Sequence, residues 1–145
     1  MSITDKTARG QSATLEFEFD LRHPPEKVWR ALTRPALLSQ WLLPIAALHL
    51  EPGATFRFQA PPQPGWNGVV DCEMVAVDPH RSISWTWVVG ELDTLVTFTL
   101  APTDTGTRVT LVQSGFTPAQ KQNFGGARYG WRMMGDRLVD LLDRL

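Results

Sequence analysis

The side chains best suited to proton transfer or nucleophilic attack near neutral pH are three histidines and a single cysteine. His23 precedes two prolines, His80 lies in a predicted turn, and His49 is out of phase with the leucines on either side of it. We therefore predict that the three histidines lie on the surface, away from any enclosed site. Cys72 falls in the apolar phase of a predicted strand with no histidine nearby in the pattern. This favours a small buried hydrophobic residue over a nucleophile.

Other sequence patterns that carry chemistry are missing. One cysteine cannot form an internal disulfide framework or a cysteine-built zinc site. We find no metal-ligand spacing, no serine elbow and no glycine-rich loop directly after a strand. Gly125 and Gly126 lie in a predicted helix, which they interrupt or kink, and that context does not suit phosphate binding. We expect no catalytic residue, no metal and no cofactor, and an enzymatic activity stays an open alternative.

Aromatic rings are the other distinctive feature, because six tryptophans and seven phenylalanines stand beside one tyrosine. Rings without hydroxyl groups suit an environment that excludes water. Core filling is favoured for Trp29, Trp41 and Trp85. Trp87 and Trp131 lie near the middle of a predicted strand and a predicted helix that face each other, which favours two walls of a cavity.

Four further side chains are candidates at the edge of this apolar interior. Trp66 lies in the proline-rich segment 60–68, and we hypothesise that it forms a lid over the mouth of a cavity. Arg128 lies beside the apolar stripe of the last helix. A side chain that extends its charge into solvent is favoured there, and the alternative is a guanidinium that binds a carboxylate or phosphate of an amphipathic ligand. Tyr129 and Met133 fall on the polar side of that helix, where they suggest a homodimer contact.

Hydrophobic periodicity predicts the elements that position these side chains. Alternation over residues 13–21 predicts a strand, and residues 25–33 and 35–42 predict two short helices, each with a proline in its first turn. Between residues 45 and 111, short alternating segments separated by turns predict an antiparallel meander. Residues 117–145 predict a long amphipathic helix.

The composition indicates a globular protein. Of the 145 residues, 43% are hydrophobic and 20% charged, and 14 basic against 15 acidic residues give a net charge of −1. This balance excludes a disordered tail and argues against a protein whose main role is binding nucleic acid. The polar residues 1–12 predict a flexible N-terminal leader, followed by one domain over residues 13–145. No apolar run is long enough for membrane insertion, and an unpaired thiol favours a cytoplasmic location.

The order strand, two helices, about six strands and a long helix predicts an α+β fold. We expect a curved antiparallel sheet of about six to seven strands wrapped around the C-terminal helix. Where sheet and helix diverge, the gap is the natural place for a ligand. The predicted lining of this cavity is Trp29, Trp41, Phe56, Phe58, Trp66, Cys72, Met74, Trp85, Trp87, Phe98, Phe124, Arg128, Trp131, Met134 and Leu138.

Several segments resemble a known superfamily. Residues His23–Thr33, followed by Pro35 and Trp41, resemble the opening signature of the helix-grip (SRPBCC) superfamily, which includes START lipid-transfer domains, the birch pollen allergen fold and polyketide cyclases. Four further stretches resemble the homologues of the heat-shock-protein-90 ATPase activator: Pro52–Phe58, Gly68–Val70 ahead of Asp78-Pro79 and Trp85–Trp87, Gly106–Leu111, and Gly130-Trp131 ahead of Leu138. The resemblance runs in unbroken order from Ala13 to Leu145 and implies the helix-grip fold.

Three functions stay open at this point. A module that binds a small hydrophobic or aromatic, lipid-like ligand is favoured, because the predicted inward face carries few titratable groups. A cyclase or hydratase that uses the same cavity is the enzymatic alternative. The third is a co-chaperone that binds a heat-shock chaperone in the stress response, which the family name alone implies. It is the least favoured, because the sequence matches only one of the two domains of the true co-chaperone.

Overall fold

Seven strands and three helices are present in the described residues, 2–145, of this computed structural model. A 3-10 turn, Pro118–Gln120, precedes the last helix. In chain order the elements are β1 (Ser2–Asp5), β2 (Thr14–Leu21), α1 (Pro25–Thr33), α2 (Pro35–Trp41), β3 (Thr55–Gln59), β4 (Val69–Asp78), β5 (Ser82–Val89), β6 (Leu92–Thr103), β7 (Gly106–Ser114) and α3 (Lys121–Arg144).

The strands form one antiparallel sheet in the order β1-β2-β7-β6-β5-β4-β3. The sheet is curved, and α3 packs against α1, α2, β1 and β2. The predicted fold class, an α+β helix-grip fold, is confirmed. No helix among the described residues is long and apolar enough to cross a membrane.

The start of the chain differs from the sequence prediction. Ser2–Asp5 were predicted to belong to a flexible leader, but they pair with β2 in the register Ser2↔Asp20 to Asp5↔Phe17. The leader prediction is therefore wrong for residues 2–5, whereas Met1 lies outside the described residues. A four-residue polar strand has no recognisable periodicity of its own, because the partners that stabilise it lie far along the chain.

Prolines set the boundaries of the two short helices. Pro25 and Pro35 occupy the first turns of α1 and α2, where a missing backbone N–H costs nothing. The Trp41 indole Nε1–H of α2 donates to the carbonyl oxygen of Ala31 in α1 at 2.8 Å. This bond satisfies a buried donor and joins the two helices.

The long helix α3 runs without a break from Lys121 to Arg144, through Gly125 and Gly126. It approaches the sheet closely at Gly135, where an added Cβ would lie 2.9 Å from Ile3 Cδ1 and 3.1 Å from Phe19 Cε1. Any larger residue there requires the Ile3 and Phe19 side chains to shift. From this contact the helix extends across the sheet and places Trp131 over the inner faces of β5 and β6.

Candidate functional site

Seven of the predicted site residues form one connected group of rings on the inner face of the sheet. Neighbouring ring centroids in the group lie 5.5 to 6.3 Å apart, the range for favourable offset and edge-to-face packing. Two members, Phe56 and Trp87, are half-buried, and the other five are buried. We call this group the ring cluster, and it comprises Trp41, Phe56, Phe58, Trp85, Trp87, Phe98 and Trp131.

Trp85 lies within the ring cluster. Its ring contacts those of Phe56 at 5.8 Å, Phe58 at 6.3 Å and Phe98 at 5.5 Å, and its side chain has no exposed surface. Its indole Nε1–H has no hydrogen-bond partner among residues 2–145. A buried donor without an acceptor is uncommon, because removing it from water is unfavourable.

A chain of buried hydrogen bonds crosses the other side of the ring cluster. Trp131 Nε1–H donates to Gln113 Oε1 at 2.7 Å, and Gln113 Nε2–H donates to Thr94 Oγ1 at 2.9 Å. Thr94 Oγ1–H in turn donates to the Trp87 carbonyl oxygen at 2.8 Å. Gln113 and Thr94 were not among the predicted site residues, although each is a polar residue in the apolar phase of its strand, which is the signal that would have found them.

A pocket of about 690 Å³ lies beside the edge strand β3. We call it the β3 pocket, and it is walled by β3, by the end of the α2 region and by the loop that joins them. Phe56 is the one predicted site residue that lines it. The lining residues are Ser39, Pro44, Ile45, Ala46, Ala47, His49, Thr55, Phe56, Arg57 and Gln59.

Phe56 connects this pocket to the ring cluster. Its half-buried ring lines the β3 pocket and meets the ring of Trp85 edge to face, at an interplanar angle of 79°. The sequence predicted a gap between the sheet and α3, but Trp131 of α3 contacts Trp87 and Phe98 there. A pocket lies instead at the β3 edge. Sequence periodicity missed this position because the residues between α2 and β3 form no helix or strand.

Three predicted aromatic residues lie apart from the ring cluster. The Trp29 ring contacts that of His80 at 5.8 Å, and the Phe124 ring contacts that of Phe116 at 5.1 Å. Trp66 is half-buried in the loop between β3 and β4, where its indole Nε1–H donates to the Val69 carbonyl oxygen at 3.1 Å. Trp66 is not among the residues that line the β3 pocket. Its role as a lid stays a prediction.

The predicted aliphatic and sulfur-containing members are core residues. Met74 and Leu138 are fully buried, and Met134 is half-buried against the core. Burial, with a smaller contribution from the charge of Asp71, raises the pKa of the Cys72 thiol to about 12. Cys72 is therefore a neutral thiol at pH 7, which does not suit a nucleophile.

Arg128 is held by the N-terminal strand. Its Nε–H donates to Asp5 Oδ2 at 2.6 Å, and Arg132 Nη2 donates to the same oxygen at 3.2 Å. Burial acts to raise the pKa of Asp5, but the hydrogen bonds from Arg128, Thr7 and Arg132 outweigh it and bring the pKa well below the usual range. The carboxylate partner suggested for Arg128 is thus supplied within the chain.

The histidines occupy three different environments. His49 and His80 are exposed, as predicted, and His49 lines the β3 pocket. His23 is half-buried, and its Nε2 lies 2.9 Å from Asp143 Oδ1, so the surface prediction is wrong for this residue. Within residues 2–145, no group of three His, Cys, Asp or Glu side chains is arranged to hold a metal ion.

Comparison with known families gives the identity of this fold. Residues 22–143 match the model of the family described as Activator of Hsp90 ATPase homolog 1-like protein. The chain belongs to this family. The Activator of Hsp90 ATPase homolog 1-like match runs from the end of β2 to the last turn of α3, so the ring cluster and the β3 pocket lie within it. No curated protein matches the chain.

Several solved structures share this architecture. A protein from Mesorhizobium loti is 42% identical, with a TM-score of 0.84 over 90% of this chain and 97% of that one. A protein from Rhodobacter sphaeroides is 23% identical, with a TM-score of 0.78 over 99% of both chains. A protein from Chromobacterium violaceum is 25% identical, with a TM-score of 0.72 over 90% of this chain and 97% of that one. The likeness supports the family fold.

Proposed function

We propose that the protein binds a small, neutral hydrophobic or aromatic molecule in the β3 pocket, with the ring cluster as the inner wall of the site. The observation that carries this proposal is the position of Phe56. Its ring forms part of the pocket and packs directly on Trp85 in the buried cluster. A ligand in the pocket therefore meets an aromatic surface continuous with the core.

The size and the chemistry of the site support this proposal. A volume of about 690 Å³ lies within the roughly 300–1,000 Å³ range of small-molecule pockets. Ile45, Ala46, Ala47 and Phe56 contribute apolar lining. Arg57, which lies in the lining, forms an ion pair with Asp71, with its Nε 2.8 Å from Asp71 Oδ1. Apolar burial is the main source of affinity that this lining offers.

The same residues favour a binding function over the two alternatives, a cyclase or hydratase and a co-chaperone. A cyclase or hydratase needs a group that exchanges protons near neutral pH, and the raised pKa of Cys72 removes that thiol from the role. The residues of the ring cluster carry no carboxylate, imidazole or amine, so an enzymatic reaction at this site would depend on the exposed imidazole of His49 in the pocket lining. The co-chaperone alternative rests on the name of the family, and a shared fold does not determine the activity at a site.

The test is titration with a neutral fluorescent dye, N-phenyl-1-naphthylamine, against the wild type and two surface variants. Ala47→Trp places a large ring in the β3 pocket at an exposed position, so the fold is not strained. Ala101→Trp is the matched control, because Ala101 is exposed on β6 and does not line the pocket. We expect saturable dye binding by the wild type and the control, and at least a roughly tenfold loss in Ala47→Trp, about 1.4 kcal/mol. Equal binding by the three proteins, or none by the wild type, would contradict the proposal.

A further inference from the structure

The indole N–H groups of this protein differ in whether they have a hydrogen-bond acceptor. Those of Trp41, Trp66 and Trp131 donate to the Ala31 carbonyl, the Val69 carbonyl and the Gln113 side chain. That of Trp85 is fully buried and has no acceptor among the described residues. These three partnered indole groups show that this fold can supply acceptors. The unpartnered donor of Trp85 therefore calls for an explanation of its own.

The position of Trp85 relates this donor to the β3 pocket. Phe56 separates the pocket from Trp85, and its ring is half-buried on an edge strand. Next to the Met74–Trp85 pair, a bulge at Val75 shifts the register between β4 and β5. Bulges reorient neighbouring side chains and are frequent beside functional sites. A rotation of the Phe56 ring toward solvent would allow a molecule bound in the pocket to contact Trp85.

We propose that the Trp85 indole N–H is the donor that selects the ligand, by binding one uncharged oxygen acceptor of an aromatic molecule that displaces the Phe56 ring. This inference rests on the proposed function and adds a specificity to it. The shape and apolar area of the pocket suit many small hydrophobic molecules. The single donor distinguishes a molecule that carries a carbonyl or ether oxygen from a hydrocarbon of the same shape.

The surroundings of Trp85 favour a neutral acceptor over a carboxylate. Its ring neighbours Phe56, Phe58 and Phe98 carry no charge, and its strand neighbours Met74 and Val96 carry none. Arg128 could have supplied a cation, but Asp5 already binds it. A carboxylate placed at Trp85 would lose its hydration for a single hydrogen bond, which is unfavourable. A ketone or ether loses far less.

The experiment compares two isosteric neutral probes, 2-acetylnaphthalene and 2-isopropenylnaphthalene, which differ in C=O against C=CH2. Two-dimensional ¹H–¹⁵N spectra of the wild-type protein resolve indole resonances for its six tryptophans. Trp85→Phe assigns the Trp85 resonance by its disappearance. We expect the ketone to move the Trp85 indole proton resonance downfield, as a hydrogen bond does. The alkene should cause no such downfield shift. We also expect the ketone to bind about tenfold more tightly, as one additional hydrogen bond allows.

Variants and a third probe separate the possible outcomes. In Trp85→Phe the ketone and the alkene should bind equally, whereas Trp66→Phe, which removes an indole that already has a partner, should retain the preference. Equal binding of both probes to the wild type, with the Trp85 resonance unmoved, would overturn this inference and leave the proposed function standing. Failure of both probes to bind would overturn the proposed function as well. Binding of 2-naphthoate as tightly as the ketone would overturn the preference for a neutral ligand.

Discussion

Asp5 of β1 accepts a 2.6 Å hydrogen bond from Arg128 Nε of α3, across 123 positions of the chain. The Asp5 side chain is 9% exposed, whereas those of Arg128 and Arg132 are 43% and 60% exposed. A nearly buried carboxylate is thus held by two guanidinium groups that reach it from the helix surface. This contact attaches the edge strand to the helix and completes the sheet on the side opposite the β3 pocket.

Asp5→Asn should lower the free energy of unfolding at pH 7 by about 1 kcal/mol, because it removes a charge-assisted bond to partly exposed partners. The native pKa of Asp5 is depressed, so this stabilisation is complete above the ordinary aspartate pKa of about 3.9 and is lost as pH falls toward the native value. The difference between wild type and variant should therefore shrink below about pH 4. Urea unfolding at pH 7, 5 and 3 measures it.

Asp136→Asn is the control for this prediction, since Asp136 is an exposed carboxylate on α3, the helix that carries Arg128 and Arg132. It should change the unfolding free energy by less than about 0.5 kcal/mol at each pH. A difference between Asp5→Asn and the wild type that persists undiminished at pH 3 would show that the charge of Asp5 is not what stabilises the contact.

Gly135→Ala should destabilise the protein by about 1–3 kcal/mol, because the new methyl group would meet Ile3 and Phe19 at 2.9 and 3.1 Å. Gly126→Ala in the same helix is the matched control, because nothing lies within 4 Å of its added Cβ. That variant should gain up to about 1 kcal/mol from the helix propensity of alanine. Thermal unfolding of both variants gives the comparison. Equal shifts of the same sign would mean that the helix does not approach the sheet closely at Gly135.

Alternation along the strands was sufficient to predict which residues face inward. Phe58, Trp85 and Phe98 lie on the inner face as the two-residue period requires, since every second side chain of a strand points the same way. Periodicity predicts a face but not a position along the sheet. It therefore placed Trp29 and Phe124 in the same site as the ring cluster, although they contact His80 and Phe116 elsewhere.

Strand β1 and the β3 pocket, which sequence reasoning missed, depend on contacts distant in the chain. Strand β1 is held by pairing with β2 and by Arg128, and nothing in its four residues indicates either partner. The β3 pocket is formed where a segment without helix or strand passes beside an edge strand. Half of its lining residues lie in that segment, between residues 44 and 49, where periodicity gives no signal. For Arg128 the sequence favoured a charge extended into solvent over a guanidinium that binds a ligand's carboxylate, whereas the structure gives it a carboxylate partner from within the chain.

Phe56→Ala tests whether the Phe56 ring restricts access to Trp85. Because the ring is half-buried at an edge strand, its removal should cost only about 1–2 kcal/mol of stability, less than a core phenylalanine. It should increase the association rate of 2-acetylnaphthalene by about tenfold, since the barrier of turning the ring aside is gone, and each factor of ten is about 1.4 kcal/mol of barrier. Stopped-flow fluorescence measures the rate. Tyr129→Ala, which removes an exposed ring on α3 that does not line the pocket, should leave it unchanged. An association rate in Phe56→Ala that equals or falls below that of the wild type would show that the ring is a binding wall and not a barrier between the pocket and Trp85.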